Sequence, residues 1–502
     1  MPVLKKETAT GARLIVGYLG IFTVMIGVIL LLPLLLLVFY PGEMQYAKCF
    51  IVPGVAAILI GYLLMFLIKG KKEGTLSGHW DAVLLLLVWI VTIVFSAIPF
   101  ALFGNLTFTQ AIFEMTSGYT TSGYTVCDVE TLPKLFLFFR SLTHLFGGVG
   151  LILIMTSALS DRYGVNLYNA EGHPDKLVPN LVNSARIIFS IYALFIALGT
   201  VAYTLFGMTV FDAFNHSVAA VATGGFSTRN ESMGFYINDT TGAYNATGIE
   251  ITTIVLMLLG MTNFFVNLFF VTGKWKKGLR HAELWFNGLF LLVTVPLCAL
   301  FLANAGISSS YGKGVEHSIF HLVSAASSTG YTTLSGFQNF PSAVLVIFFF
   351  AMLVGGGQGS TAGGIKQNRI VLMLKSIYWN LRDRFSKTRT VRTNKMWRCG
   401  EYVTITDKAA ADNNVFIQLY LAVVLVGTLL LAACGFPFKE SLLEFTSLIG
   451  NTGISYGVIS SASSPLVLWI GTVGMFIGRL EVYIVAVALV QCGLGVARKE
   501  VM

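Results

Sequence analysis

The sequence predicts an all-α integral membrane protein with ten transmembrane helices, in which four parallel M1-P-M2 repeats (helix, re-entrant loop, helix) surround one pore and two extra helices precede them. Composition supports a membrane location. Apolar residues make up 55% of the chain, charged residues make up 11%, and the mean hydropathy is +0.76. Soluble domains average roughly 45–50% apolar and about 25% charged residues. A pattern that recurs four times between apolar stretches supports the repeats.

Ten apolar stretches are long enough to cross a bilayer, since a spanning helix needs about 20 mostly apolar residues. They lie at 14–40, 50–68, 81–103, 133–158, 187–208, 249–272, 286–305, 343–375, 414–435 and 465–491. With loops assigned to alternate sides, 26 of the 33 Lys and Arg lie on the side of the termini and 5 on the other, with Arg140 and Arg479 inside spans. Because cytoplasmic loops carry the excess of basic residues, we expect both termini in the cytoplasm.

Several other classes of protein are not indicated. The net charge of +9 does not predict nucleic-acid binding, because the basic residues cluster in the predicted cytoplasmic loops, chiefly 366–408. The first span lacks a small-residue cleavage site, so it is predicted to be a helix and not a signal peptide. The six cysteines show no metal-ligand spacing, although Cys49 and Cys127 are both predicted outside and could pair. No HExxH, GxSxG or paired intramembrane aspartates indicate an enzyme.

Four segments between spans share an acidic or polar start, about ten residues of amphipathic helix and a stretch rich in Ser, Thr and Gly. They read FTQAIFEMTSGYTTSGYTV from Phe108, VFDAFNHSVAAVATGGFST from Val210, VEHSIFHLVSAASSTGYTT from Val315 and KESLLEFTSLIGNTGIS from Lys439. Their last glycines are Gly123, Gly225, Gly330 and Gly453, which are 102, 105 and 123 residues apart. This spacing fits modules of two spans, predicted at 76–172, 173–282, 283–395 and 396–502, after an N-terminal helix pair at 1–75.

These segments are too short to cross the bilayer and too apolar for free loops, so they are expected to re-enter the membrane. Non-helical backbone at that depth must be buried in protein or line a wet cavity, and four loops meet this condition by converging on one axis. Backbone carbonyls there can replace the hydration shell of a cation, and glycine permits the φ angles that turn them inward. The predicted filter residues are Thr120, Thr121, Ser122, Gly123, Thr223, Gly224, Gly225, Ser328, Thr329, Gly330, Asn451, Thr452 and Gly453.

Acidic residues in these segments fall into two groups. Asp212, Glu316 and Glu440 lie near the starts of the short helices, where carboxylates cap free amides and oppose the helix dipole. Glu114 and Glu444 lie further along, where a carboxylate behind the loop could hold its backbone in place.

The eighth stretch, 343–375, is longer than a straight crossing needs. Its glycines cannot form a stable helix, because each costs about 1 kcal/mol relative to alanine. A flexible, wet-facing loop is therefore predicted at 355–366, below the filter. Its glycines are Gly355, Gly356, Gly357, Gly359, Gly363 and Gly364, and Ser360, Thr361 and Lys366 are its main candidates for function. The GxGxxA within it follows no strand and does not indicate a dinucleotide site.

Arg479 lies near the middle of the last span, where burial costs at least about 2.5–3.5 kcal/mol. One interpretation is an ion pair with Glu481 that joins helices, and the other is a positive charge in the conduction path beside the glycine-rich loop. Arg140 lies close enough to the outer surface for its side chain to reach water. His144 is expected to be packed or hydrogen-bonded.

With these segments, GGGQGSTAGGIK at 355–366 and GRLEVY at 478–483, the chain resembles the Trk/Ktr/HKT superfamily of potassium transporters over essentially its whole length. Its two extra N-terminal spans resemble the TrkH branch. The resemblance implies potassium uptake through the filter, gating by the loop at 355–366, and Arg479 as a charge in the pore. It implies potassium contacts at Thr121, Ser122, Thr223, Gly224, Ser328, Thr329, Asn451 and Thr452.

The resemblance also implies a homodimer in the bacterial inner membrane, in contact with lipid, and no organic cofactor. A cytosolic TrkA-type nucleotide-binding subunit would control the gate, with the basic stretch 366–408 as its docking surface. The fourth filter, NTGIS, departs furthest from the family pattern. The alternative is a proton- or sodium-coupled potassium symporter, which the small number of acidic residues inside the spans disfavours.

Overall fold

The computed structural model describes residues 12–66, 80–150, 181–386, 393–398 and 400–497. The fold over these ranges is predominantly helical. The longer helices are Ala12–Leu31, Ala47–Phe66, Trp80–Phe103, Phe108–Tyr119, Lys134–Val149, Leu181–Leu205, Val210–Val221, Ala246–Met261, Phe264–Val271, Ala282–Asn304, Tyr311–Ala326, Ser342–Val354, Gln367–Arg384, Asp407–Ala433, Phe438–Ile449, Pro465–Arg479 and Val482–Ala497. One hairpin pairs strands Lys395–Arg398 and Glu401–Thr404 antiparallel.

Within the described residues, six helices are long and apolar enough to cross a membrane, and up to eight if each of two bent pairs forms one span. Ala246–Met261 and Phe264–Val271 meet at 116°, and Pro465–Arg479 and Val482–Gly493 meet at 102°. The predicted span 343–375 is divided between two helices that flank the glycine-rich loop. The predicted span 133–158 is described only as far as residue 150. The chain is therefore a multi-pass helical membrane protein.

A short helix forms in each of the four repeated segments, and side chains cap three of them. Thr107 accepts a hydrogen bond from the N–H of Gln110, Thr209 accepts from Asp212, and Ser310 accepts from Lys313. The fourth helix follows Pro437, whose fixed φ suits a helix start. Below we call these helices, Phe108–Tyr119, Val210–Val221, Tyr311–Ala326 and Phe438–Ile449, pore helices one to four.

Asp212 and Glu440 lie in the first turn of their pore helices, as predicted, whereas Glu316 does not, because the third pore helix begins earlier, at Tyr311. All three have local partners. The carboxylate of Asp212 accepts from the hydroxyls of Thr209 at 2.9 Å and Thr228 at 2.7 Å. Glu316 pairs with Lys313 at 2.7 Å, and Glu440 pairs with Lys439 at 3.5 Å. These contacts agree with a structural role for the three carboxylates.

The two N-terminal helices pack closely through four glycines. A Cβ on Gly20 would lie 2.7 Å from the carbonyl oxygen of Gly61, and one on Gly27 would lie 2.6 Å from that of Gly54. Glu43, in the connection between these helices, accepts hydrogen bonds from the N–H groups of Lys134 at 2.8 Å and Leu135 at 2.9 Å. The helix pair is thus joined to the helix that follows the first repeated segment.

The cysteines do not form the pair that the sequence left open. Cys49 and Cys127 are both buried free thiols. Cys127 instead donates to the carboxylate of Glu114, with 3.4 Å between sulfur and oxygen.

Candidate functional site

The four repeated segments converge at their glycines. A Cβ built on Gly123 would collide with the carbonyl oxygen of Gly224, one on Gly225 with that of Thr329, one on Gly330 with that of Thr452, and one on Gly453 with that of Ser122. Each of these carbonyls belongs to the residue just before the glycine of another segment. The contacts run in chain order and return from the fourth segment to the first, so the segments form a closed ring.

The backbone has the same unusual conformation in all four copies. Thr121, Thr223, Ser328 and Asn451 have φ of 56°, 51°, 52° and 52°, and the glycines two residues later, in the same order, have φ of 81°, 76°, 80° and 82°. A positive φ is uncommon for threonine and serine because the Cβ is crowded, so the surrounding structure must hold it. Sequence reasoning anticipated this conformation only at the glycines.

Hydrogen bonds to the pore helices hold these turns. In each copy the N–H of the residue before the glycine donates to a carbonyl near the end of the pore helix, over 2.8–3.0 Å: Ser122 to Ser117, Gly224 to Ala219, Thr329 to Ser324 and Thr452 to Ser447. The side chains of the predicted filter residues are buried, whereas the four glycines are partly exposed. The structure thus brings all predicted filter residues together around one axis.

A cavity of about 560 Å³ opens on this ring. All four glycines line it, and its wall also includes Arg140, Arg229 and Glu231. The cavity is therefore lined by the ring, by charged and polar side chains, and by apolar ones such as Phe226 and Phe337.

Glu114 and Glu444 lie behind the first and fourth segments with no exposed surface. Glu114 accepts hydrogen bonds from the N–H of Val126 and the hydroxyl of Thr125, both at 2.9 Å. Glu444 accepts from the N–H of Tyr456 at 2.6 Å. Both carboxylates therefore hold the backbone that follows a filter glycine.

Arg140, which the sequence places close enough to the outer surface to reach water, does not do so. Its side chain is buried, because the guanidinium pairs with Glu114 at 2.9 Å and donates to the carbonyl oxygen of Ser227 at 3.1 Å. It also lies 3.8 Å from the centre of the Phe226 ring. The guanidinium thus binds a buried carboxylate instead of water. Through Glu114 and Ser227 it connects the first and second segments.

His144 is hydrogen-bonded, as expected from the sequence. Its Nδ1 lies 2.8 Å from the carbonyl oxygen of Gly118, and its Nε2 accepts from the N–H of Phe226 at 3.1 Å. The imidazole also stacks on Phe226, with ring centres 4.1 Å apart.

The glycine-rich loop interrupts the eighth predicted span and lies directly against the filter segments. The hydroxyls of Thr361 and Thr223 are 3.0 Å apart, and the N–H of Gly363 donates to the hydroxyl of Ser328 at 2.6 Å. Ser360 and Thr361 are buried. The loop therefore does not face water in this structure, because the filter segments and neighbouring helices cover it.

The bend at 262–263 supports the loop. The N–H of Gly357 donates to the carbonyl oxygen of Met261 at 2.9 Å, and the N–H of Phe264 donates to that of Gly359 at 2.8 Å. The amide of Asn263 binds the carbonyl oxygen of Gln358. Sequence reasoning missed this bend, although the polar pair Thr262 and Asn263 interrupts an apolar stretch.

Glu283 is a second residue that sequence reasoning missed. Its carboxylate accepts from the N–H of Gln358 at 2.9 Å, although it lies 75 positions earlier in the chain. Its position after a basic loop gave no sign of this contact.

Arg479 lies beneath the loop. Its guanidinium donates to the carbonyl oxygens of Thr361 at 2.8 Å and Gly148 at 3.2 Å, and it also binds that of Gly147. The ammonium of Lys366 binds the carbonyl oxygen of Ala362, within the loop. Two cations thus lie where the loop meets the end of the helix Pro465–Arg479.

Glu481, the alternative partner of Arg479, pairs with Arg369 at 2.7 Å. Glu481 has a left-handed φ of 58° at the break of the last span, and Arg369 lies in the helix that leaves the loop. The geometry favours Arg479 as a charge beside the loop.

The space around this second cluster is small. The cavity lined by Ser360, Lys366, Arg479 and Glu481 measures about 20 Å³. A water molecule needs roughly 10–15 Å³ by this measure. Among the described residues, the space is therefore wide beside the glycines and narrow beside the loop.

Comparisons with known proteins identify the family. The family model for TrkH, cation transport protein, matches residues 48–492. An uncharacterized cation transporter of Methanocaldococcus jannaschii is 28% identical, with 95% of each chain covered. The Trk system potassium uptake protein TrkG of Escherichia coli is 30% identical, with 84% of this chain and 88% of TrkG covered.

The fold gives the same result. The crystal structure of the potassium transporter TrkH from Vibrio parahaemolyticus matches with a TM-score of 0.81 and 26% identity, and the match covers 95% of this chain and 98% of that one. The relatives are transporters and not enzymes. The chain belongs to the TrkH family of cation transport proteins.

Proposed function

We propose that this protein mediates potassium uptake across the cell membrane through a single pore whose selectivity filter is the ring of four segments. The ring is the observation that carries the proposal. Four backbone turns with matching φ angles meet at Gly123, Gly225, Gly330 and Gly453. Each glycine lies against the carbonyl oxygen of the residue that precedes the glycine of another segment. Such carbonyls are the ligands that replace the hydration shell of potassium. The relatives TrkG of Escherichia coli, a potassium uptake protein, and TrkH of Vibrio parahaemolyticus, a potassium transporter, agree with this ion.

The loop at 355–366 is the proposed gate. It crosses beneath the ring, and Arg479 and Lys366 place positive charge on the path that a cation would follow to the cytoplasm. With only about 20 Å³ beside these residues, the described conformation is a closed one. Conduction then requires the loop to leave the hydroxyls of Thr223 and Ser328.

The proposed topology has ten spans and four parallel repeats. Both termini lie in the cytoplasm, which the distribution of Lys and Arg supports. The proposed setting is a bacterial inner membrane, with the chain as a homodimer in contact with lipid.

A cytosolic TrkA-type nucleotide-binding subunit is the proposed regulator. Its docking surface is the basic stretch 366–408, which begins where the gate loop ends. The described part of this stretch contains the helix Gln367–Arg384 and the hairpin of Lys395–Arg398 and Glu401–Thr404. Deletion of 385–400 should abolish nucleotide regulation of potassium flux and leave the protein folded, and unchanged regulation would exclude this surface.

Complementation tests the filter. A bacterial host that lacks potassium uptake would carry the wild type, Gly330→Ser or Gly306→Ser. Gly330 and Gly306 both have left-handed φ, of 80° and 70°, but a Cβ collides with the carbonyl of Thr452 only at Gly330. We expect Gly330→Ser to alter potassium uptake or its preference over sodium, and Gly306→Ser to behave like the wild type. Equal behaviour of the two variants would contradict the filter assignment.

Voltage-clamped proteoliposomes separate a channel from a coupled symporter. For a channel, the current reverses at the potassium equilibrium potential at every pH and sodium concentration. A reversal potential that follows pH or sodium would instead establish coupling.

A further inference from the structure

One sequence position behind each filter segment carries an ionisable side chain. Glu114, His216, His321 and Glu444 each lie nine residues before the filter glycine of their own segment. All four are buried, with 1% exposure or less. Burying such groups is costly unless they are hydrogen-bonded. Since all four occupy the same position in their segments, we expect each to bind an equivalent partner.

That partner is the backbone just after the filter glycine. In the first and fourth segments, Glu114 accepts from the N–H of Val126 at 2.9 Å and Glu444 from that of Tyr456 at 2.6 Å. Each donor lies three residues after the glycine. The carboxylates thus close each filter turn from behind.

Histidine does the same in the third segment. The Nε2 of His321 accepts from the N–H of Thr333 at 3.1 Å, and Thr333 is again three residues after the glycine. The Nδ1 of His321 lies 2.8 Å from the carbonyl oxygen of His317 and must donate to it. The ring is therefore the neutral tautomer with Nε2 as the acceptor.

In the second segment a hydroxyl group lies between the imidazole and the backbone N–H. The Nε2 of His216 lies 2.9 Å from the hydroxyl of Ser227, which accepts from the N–H of Arg229 at 2.9 Å. The Nδ1 of His216 faces the carbonyl oxygen of Asp212 at 2.8 Å, as in the third segment. The same two-ended contact of the imidazole is thus present in both copies.

We infer that Glu114, His216, His321 and Glu444 are positioning residues, one for each filter segment, that fix the backbone beyond the filter glycine and so set how strictly the pore prefers potassium to sodium. The inference rests on the proposed function, since it assigns a determinant of selectivity to that pore. A ring of carbonyl oxygens discriminates between ions through its size and the freedom of its oxygens. Each side chain limits that freedom at one quarter of the ring.

The third segment offers the clearest test. His321→Leu removes the acceptor for Thr333, His321→Gln supplies an amide oxygen in its place, and His317→Leu is the matched control. His317 lies one turn earlier on the same pore helix; its backbone carbonyl, which the substitution keeps, faces Nδ1 of His321, and its ring lies 6.5 Å from that of His321 without binding the filter backbone. Full-length variants are reconstituted in proteoliposomes, and the sodium-to-potassium permeability ratio is taken from reversal potentials.

We expect His321→Leu to raise the ratio roughly tenfold, the factor that about 1.4 kcal/mol of lost hydrogen bonding at one ion would give. His321→Gln and His317→Leu should stay within about twofold of the wild type. An unchanged ratio in folded His321→Leu, or an equal rise in His317→Leu, would overturn the inference. Absence of potassium current from the wild type would instead refute the proposed function.

Glu444→Gln keeps the inference testable if His321→Leu does not fold. The amide retains one acceptor oxygen of the two that bind the N–H groups of Tyr456 and Ile459. A smaller rise in the ratio is expected, and Glu440→Gln, at the start of the same helix, is the control. Equal ratios in Glu444→Gln and Glu440→Gln would refute the role of this position.

Discussion

Replacement of Arg479 should open the proposed pore from the cytoplasmic side. The guanidinium donates to the carbonyl oxygen of Thr361 in the gate loop at 2.8 Å, and to those of Gly147 and Gly148 in the first module. It therefore joins the loop to a helix that does not belong to the loop's own module. Arg479→Ala removes this connection together with its positive charge.

The contact with Thr361 sets the size of the effect. A hydrogen bond to a charged group contributes about 1.5–3 kcal/mol. If the bond with Thr361 breaks when the loop moves, Arg479→Ala removes a bond that only the closed state has. The equilibrium then shifts toward the open state by roughly 10- to 150-fold. The contacts with Gly147 and Gly148 do not involve the loop, so they do not contribute to this shift.

Potassium flux into proteoliposomes, without the regulatory subunit, measures this shift. Arg479→Ala should raise the flux, and two further variants separate the charge from the hydrogen bond. Arg479→Lys keeps the charge and Arg479→Gln keeps a donor, so a larger flux through Gln indicates that the charge is the barrier. Arg186→Ala, an exposed arginine at the start of the helix Leu181–Leu205, is the control.

Flux through Arg479→Ala no greater than through the wild type would refute this reasoning, provided that the variant is folded. Equal increases in flux through Arg479→Ala and Arg186→Ala would also refute it, because they would indicate a nonspecific leak of potassium.

Arg140→Met should lower the free energy of unfolding by about 3–5 kcal/mol, because it leaves the Glu114 carboxylate buried without its cation, and Glu114→Gln in the same chain should restore part of the loss. Denaturation in detergent measures both, and strictly additive effects would contradict the pairing. Thr361→Val should raise unregulated potassium flux roughly fivefold, since the hydroxyl binds the carbonyl oxygen of Gly260 at 3.0 Å, and unchanged flux would argue against this contact as a closing one. Glu43→Gln should weaken the junction of the N-terminal helices by about 1 kcal/mol, seen as faster hydrogen exchange at Lys134.

The four short helices and the ring of turns that follows them were predictable from the sequence because the same physical constraint acts on four copies. A short helix must end, a turn must follow, and a glycine must allow close approach. These requirements are local and leave a pattern within about twenty residues. The left-handed φ of Thr121 and its three equivalents was not anticipated, because a residue in that conformation looks ordinary in sequence.

Long-range contacts explain the errors and omissions. Arg140 was expected near water because its partner, Glu114, is 26 positions away. The gate loop was expected to be wet because its glycines suggested mobility, yet Thr361 and Gly363 are covered by residues from other modules. The bends after Met261 and Arg479 are set by tertiary packing, and local propensity is a weak guide where packing decides.

The asymmetry of the proposed gate follows from the symmetry of the proposed filter. If four equivalent turns form one axial path, a single loop, 355–366, is enough to block it. That loop contacts the second segment through Thr223, the third through Ser328 and the helix Pro465–Arg479 through Arg479. A Cβ on Gly363 would also collide with the carbonyl oxygen of Gly450, in the fourth segment. Since the loop touches several modules while its two ends belong to one, a pull on the helix Gln367–Arg384 from the cytoplasm would act on all these contacts together.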